Sequence, residues 1–107
     1  MTLTLIVIVG RQWFDKRNGN TYFRALVIAH GREGRKSKTV QHMIPFQSGY
    51  GEHYVDTAAK WLDEEGLTSR QEHTNGSTEP LWSYCRDHGI ALVRTISYVA
   101  TRKELQE

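Results

Sequence analysis

The sequence predicts an α+β fold: a mostly antiparallel four-stranded sheet in the order βββααβ, with two helices packed on one face. Three observations carry that prediction. Apolar, β-branched residues alternate in four separate runs, apolar residues recur at helical spacing in two others, and glycine-rich or polar turns separate them. At 107 residues the chain is expected to form one domain.

The first strand covers residues 2–14, with Leu3, Leu5, Val7 and Val9 on one face and Ile6 and Ile8 on the other, and is expected to be buried on both faces near its middle. Asn18-Gly19 follows, the strongest short hairpin signal because both residues tolerate positive φ. Residues 21–30 therefore return antiparallel, with Tyr22, Arg24, Leu26 and Ile28 on one face and Phe23, Ala25 and Val27 on the other. Residues 31–38 read as a flexible polar loop. A third strand spans 39–46, with Val40, His42, Ile44 and Phe46 facing inward; Pro45 lacks an N–H, so this strand ends there or lies at the sheet edge.

Val55, Ala58, Ala59 and Leu62, flanked by Tyr54 and Trp61, predict a helix over 52–65 that Gly66 closes. Residues 68–77 are the most loop-like in the chain. Thr78-Glu79-Pro80 has the grammar of a helix start, with Leu81, Trp82, Cys85 and His88 on the apolar stripe and Gly89 at the end. The last strand covers 90–100, with Ile90, Leu92, Ile96 and Tyr98 on one face, before a charged tail. Two helices on one face leave the other face of the sheet partly exposed.

Composition excludes several classes. A charged fraction of 24% with 38% hydrophobic residues argues for a folded chain, and the lone Cys85 excludes a disulfide framework or a Cys-based zinc site. The densest apolar run, 3–9, is far short of the roughly 20 residues that span a bilayer, so no membrane partner is expected. It also lacks the basic flank and small-residue cleavage site of a signal peptide, which predicts a cytoplasmic protein. His30, His42, His53, His73 and His88 show no HxxxH, HExxH or HxH spacing, so no metal or other cofactor is expected. Glycine turns at 31–34 and 49–51 lack a nucleotide-binding frame. An acid–base site would need the fold to join His42 or His53 to a tyrosine. The chain is therefore read as non-enzymatic.

Charge is uneven along the chain. Residues 1–54 carry eight Lys/Arg and three Asp/Glu, whereas 55–107 carry six and nine, which points to a polyanionic partner for the first half or simply to a solvated surface. The candidate binding residues fall in two groups. Arg11, Trp13, Lys16, Arg17, Tyr22 and Arg24 surround the first hairpin, and Arg32, Arg35, Lys36 and Lys38 occupy the following loop. Cations interleaved with aromatic rings suit single-stranded nucleic acid, where cations track phosphates and rings stack on bases, and they equally suit a protein hot spot. Whether Arg11 and Trp13 share a face with Tyr22 and Arg24 depends on register.

The succession Gly10-Arg11-Gln12-Trp13-Phe14, Gly19-Asn20-Thr21-Tyr22, Pro45-Phe46 and Tyr50-Gly51-Glu52-His53-Tyr54 resembles a group of small bacteriophage- and prophage-encoded proteins of uncharacterised function. That group's pattern is an Arg-x-Trp-Phe strand end, a Gly-Asn-Thr-Tyr strand start and a Pro-Phe followed by a Tyr-Gly-Tyr-Gly-like turn. Ser48 stands here where an aromatic is expected. The resemblance covers about half the chain and implies a phage source, a bacterial host cytoplasm, and an accessory or host-interaction role. It supplies no chemistry. Two partner classes follow: a host nucleic-acid-processing complex, for example a CRISPR-type defence nucleoprotein, or its nucleic acid; or a protein-only contact, including a homodimer.

Overall fold

The computed structural model describes residues 1–106. Its elements are β1 (Thr2–Asp15), β2 (Asn20–Glu33), β3 (Lys36–Ser48), α1 (His53–Glu64), α2 (Leu81–His88), β4 (Ala91–Val99) and α3 (Arg102–Gln106). The four strands form one sheet in the order β3-β2-β1-β4.

The sheet is mixed: two of its three pairings are antiparallel, in keeping with the mostly antiparallel expectation, and the third is parallel. β1–β2 and β2–β3 are antiparallel hairpins, but β4 runs parallel to β1. The cause is the connection: the long path from β3 through α1 and α2 is a crossover that returns the chain to the end where β3 began, so β4 takes the direction of β3 and β1.

One face of the sheet carries the core. Ile6 and Ile8 of β1, Phe23, Ala25, Val27 and Ala29 of β2, and Ile44 of β3 are buried against Tyr54, Val55, Ala58, Ala59 and Leu62 of α1 and Leu81, Tyr84 and Cys85 of α2. In β2 the expected alternation holds throughout, because every second side chain meets the helices. Two register shifts re-aim their neighbours. One lies between Leu3 and Leu5, and it brings Leu3 to the same buried face as Ile6 and Ile8. The other sets Pro45 and Phe46 opposite the single residue Arg24, where the missing N–H of Pro45 costs no ladder bond. Val40, His42 and Ile44 face the helices as expected, and His42 stacks on Trp61 at 4.7 Å and 7°. Phe46 is turned to the opposite face, where it stacks on Tyr22.

In α2, Leu81 and Cys85 are buried with Tyr84, but Trp82 is 54% exposed and carries the Arg86 guanidinium over its ring at 5.3 Å. Trp82 follows Leu81 by one position, about 100° around the helix, and so leaves the buried stripe. His88 is exposed too, stacking on Tyr84 at 4.0 Å. The loop before α2 is pinned rather than free: Arg70 Nε donates to Asp63 Oδ2 at 2.9 Å, its Nη1 donates to the Glu79 carbonyl at 3.0 Å, and Glu72 bridges to Thr78.

Burial pushes the Cys85 thiol up to about 11. At neutral pH it is an uncharged, enclosed S–H. A disulfide-exchange reagent should therefore leave native protein unmodified on the timescale in which it labels Cys85 fully in denaturant, as followed by release of the coloured leaving thiol.

The tail is a short helix rather than a free end. α3 lies on the face opposite α1 and α2, and Leu105 is fully buried over Val9, Leu26 and Met43.

Candidate binding surfaces

Register decides which predicted residues meet. Arg11 pairs with Arg24 and Trp13 with Tyr22 across the β1–β2 ladder, and directly opposed residues of antiparallel strands project to one face. All four therefore stand together, on the face that carries α3.

Their chemistry is largely occupied from within. Trp13 and Tyr22 stack at 5.7 Å and 24°, Tyr22 and Phe46 at 4.8 Å and 13°, and the Arg102 guanidinium lies over Phe46 at 4.9 Å. Tyr22 is part of a packed row, with a neighbouring ring against each of its faces. Arg11 Nη1 donates to the Glu104 carbonyl at 3.1 Å, and Arg24 Nη1 donates to the Gln106 carbonyl. Two cations directly opposed across a ladder repel. The orphan carbonyls at the end of α3 supply the compensating negative potential. A cavity of about 140 Å³ between Val9, Arg11, Arg24, Leu26, Met43 and Leu105 is what remains open there.

Lys16 and Arg17 are exposed at the β1–β2 turn. The turn is a four-residue loop closed by Asp15 and Asn20, not a two-residue Asn-Gly turn. Asp15 explains the difference, since its carboxylate accepts from the Asn18 side-chain amide at 2.7 Å and from the Arg17 backbone N–H at 3.0 Å, while its carbonyl accepts from Gly19 N–H at 2.8 Å. The bonds to its carboxylate, the Asn18 side chain first, hold the Asp15 carboxyl below the usual carboxylate range.

Arg32, Arg35, Lys36 and Lys38 do not lie in a flexible loop, as the polar composition suggested. β2 runs on to Glu33 and β3 starts at Lys36, leaving only Gly34 and Arg35 between the paired residues. Positive φ at Gly34 followed by ordinary φ at Arg35 is the pattern of a type II′ hairpin turn. All four cations are exposed. Lys38 Nζ pairs with Glu33 Oε2 at 3.2 Å, while Arg32, Arg35 and Lys36 have no ion-pair partner among the described residues. This tip and the Lys16-Arg17 turn sit at opposite ends of β2, roughly 40 Å apart at the rise of an extended strand. The ten predicted residues thus make two surfaces rather than one.

Four of the five histidines have side-chain contacts within the fold, His42, His53 and His88 with aromatic rings and His30 with a hydroxyl. His30 Nδ1 shares a hydrogen bond with Thr39 Oγ1 at 2.7 Å, and the His53 ring stands edge-on to Phe23 at 5.6 Å. A shallow cleft brings His53 near Tyr50, Glu52 and Asp56, but Glu52 is ion-paired with Arg94, and His53 meets Tyr50 only through its backbone N–H, which donates to the Tyr50 carbonyl at 3.2 Å; among the described residues no hydrogen bond joins the His53 ring to a tyrosine hydroxyl or a carboxylate. Among the described residues no three His, Cys, Asp or Glu side chains gather as a metal site would require, and no helix is long and apolar enough to cross a membrane. No protein-family model, no curated protein and no solved structure matches this chain.

Proposed function

We propose that this chain is a non-enzymatic binding protein that engages a host nucleic-acid-processing complex, such as a CRISPR-type defence nucleoprotein, or its nucleic acid, as a phage-type accessory or counter-defence factor. The phage context rests on the sequence resemblance. The binding reading rests on one observation: Arg32, Arg35, Lys36 and Lys38 are exposed on a tight hairpin with a single acidic partner, Glu33. Guanidinium and ammonium groups held this way suit phosphate oxygens along a nucleic-acid backbone, and they read charge rather than sequence. Because the Trp13–Tyr22–Phe46 row is packed on itself, base stacking contributes little, and the Arg11–Arg24 pair acts by holding α3.

Fluorescence polarisation with short DNA and RNA, at low and near-physiological salt, tests this. Binding should be saturable and should fall with log salt at a slope of about −0.7 to −0.9 per phosphate neutralised. Replacing Arg35 and Lys36 with alanine should abolish it across all sequences, while replacing Lys16 and Arg17 should weaken it by only a few-fold. Retention of full affinity in the Arg35/Lys36 variant would remove this surface from the proposal. Absence of nucleic-acid binding would narrow the target to protein, to be sought by capture from a bacterial lysate.

A further inference from the structure

Arg11 and Arg24 are the one pair of like charges directly opposed across a ladder among the described residues, and neither has an ion-pair partner among them. A guanidinium has five N–H donors. The hydrogen bonds of the described residues use one from each, Arg11 to the Glu104 carbonyl at 3.1 Å and Arg24 to the Gln106 carbonyl, and these acceptors carry only partial charge. At the other end of α3 the Arg102 guanidinium lies over the Phe46 ring at 4.9 Å, while Tyr22 stacks on that ring at 4.8 Å. α3 thus sets two oxygens on guanidiniums and one flat group on an aromatic ring, the contacts that phosphates and a base would make.

We propose that Arg11 and Arg24, with the Phe46 ring beside them, form a second nucleic-acid site that grips backbone phosphate and that α3 masks by occupying it. The inference rests on the nucleic-acid reading given above and adds to it a surface toward the other end of β2 from the Arg32–Lys38 tip.

α3 is weakly held. It has five residues and a single buried side chain, Leu105, and the cavity of about 140 Å³ beside Leu105 is left unfilled. A helix this short has no stability of its own, so it keeps its form only while docked. A phosphate is the better complement to the arginines, because it brings a full negative charge and several acceptors to the place where neutral carbonyls leave two cations opposed. Departure of α3 also lifts Arg102 from Phe46, which opens the end of the Trp13–Tyr22–Phe46 row to a base. Residues 101–107 carry two cations and two acids, so the mask works by contact and not by net charge.

Fluorescence polarisation with a labelled single-stranded DNA of about twelve nucleotides tests the proposal on the full chain, in an Arg35→Ala/Lys36→Ala background that removes the hairpin tip. Leu105→Asn undocks α3 without changing net charge. It should strengthen binding at low salt by at least about tenfold, and steepen the dependence on log salt by about 1.4 for two phosphates gripped. Adding Arg11→Gln and Arg24→Gln should cancel that gain. Thr101→Ala removes only the hydroxyl that accepts from the Glu104 N–H at 3.2 Å at the start of α3, so it should give a smaller gain of the same kind and serves as the test if the Leu105 variant loses its native circular dichroism. No gain in folded protein overturns the proposal, and so does a gain that survives loss of both arginines. Full competition by an equimolar amount of inorganic phosphate would also overturn it, assigning the arginines to a free phosphate. The hairpin-tip reading fails separately, by full affinity in the Arg35/Lys36 background, and the gain from undocking α3 is read in either case.

Discussion

Truncating Phe23 to alanine should destabilise the fold by about 3–5 kcal/mol, seen as a large drop in the urea midpoint with little change in slope. Phe23 is fully buried in β2, an interior strand, where its ring joins the sheet to the start of α1. Its edge contact with His53 lies at 5.6 Å and 65°. The chain between β3 and α1 is built around that pair: a Cβ at Gly49 would stand 2.6 Å from the His53 ring and 2.8 Å from the Phe23 ring. Backbone is thus pressed against the ring, and the space left by its removal cannot be refilled without moving the entry to α1. For a domain whose whole stability is of order 5–15 kcal/mol, the loss is about a fifth of the total or more. Ile44→Val, at an equally enclosed position of β3, removes one methylene and should cost only about 0.5–1.5 kcal/mol. Similar midpoints for the two variants would show that the core is not centred where the sheet meets α1.

The parts of this fold legible in the sequence are those whose cause is local. β2 alternates from Tyr22 to His30 because one face meets helices and the other does not, and that contrast is written into consecutive residues. The α1 stripe of Val55, Ala58, Ala59 and Leu62 is legible for the same reason. What escaped depends on partners distant in the chain. The shift that turns Phe46 outward exists only relative to Arg24, and the direction of β4 follows from a crossover rather than from any residue of β4. α3 has one buried apolar residue, Leu105, so it carries no periodicity, and its helical form rests on docking. The candidate surfaces divide along the same line. Parity already grouped Arg11 with Trp13 and Tyr22 with Arg24, and the ladder joined the groups. That the two arginines are engaged by the carbonyls of Glu104 and Gln106 could not be read before α3 was known. The glycines and cations of residues 31–38 mislead for a different reason: the same residue types that mark a loop also mark the solvated end of a long hairpin.

Gly31→Ala should be the most damaging glycine replacement in that hairpin, at about 3 kcal/mol or more, while Gly34→Ala should cost only about 1–2 kcal/mol. Only two residues separate them, yet they are glycine for different reasons. At Gly34 the constraint is φ of +65°, with nothing within 4 Å of an added Cβ, so alanine meets conformational strain alone and asparagine should recover part of the loss. At Gly31 the constraint is space: an added Cβ would stand 2.1 Å from the Thr2 carbonyl oxygen and 2.9 Å from Leu3 Cα, both backbone atoms. No rotamer can relieve that contact. The start of β1 must move away, and it is held there by Leu3, buried in the core, and by the register shift at Leu3–Leu5. Thermal unfolding should separate the two variants clearly, and nucleic-acid binding at low salt should separate them again. Gly31 lies at the base of the segment that carries Arg32, Arg35, Lys36 and Lys38, so loosening it should scatter those cations and weaken binding well beyond the loss in the Gly34 variant. Equal binding by both variants, with their stabilities far apart, would mean that the cations act as a mobile charge cloud and that the rigid hairpin contributes nothing to recognition.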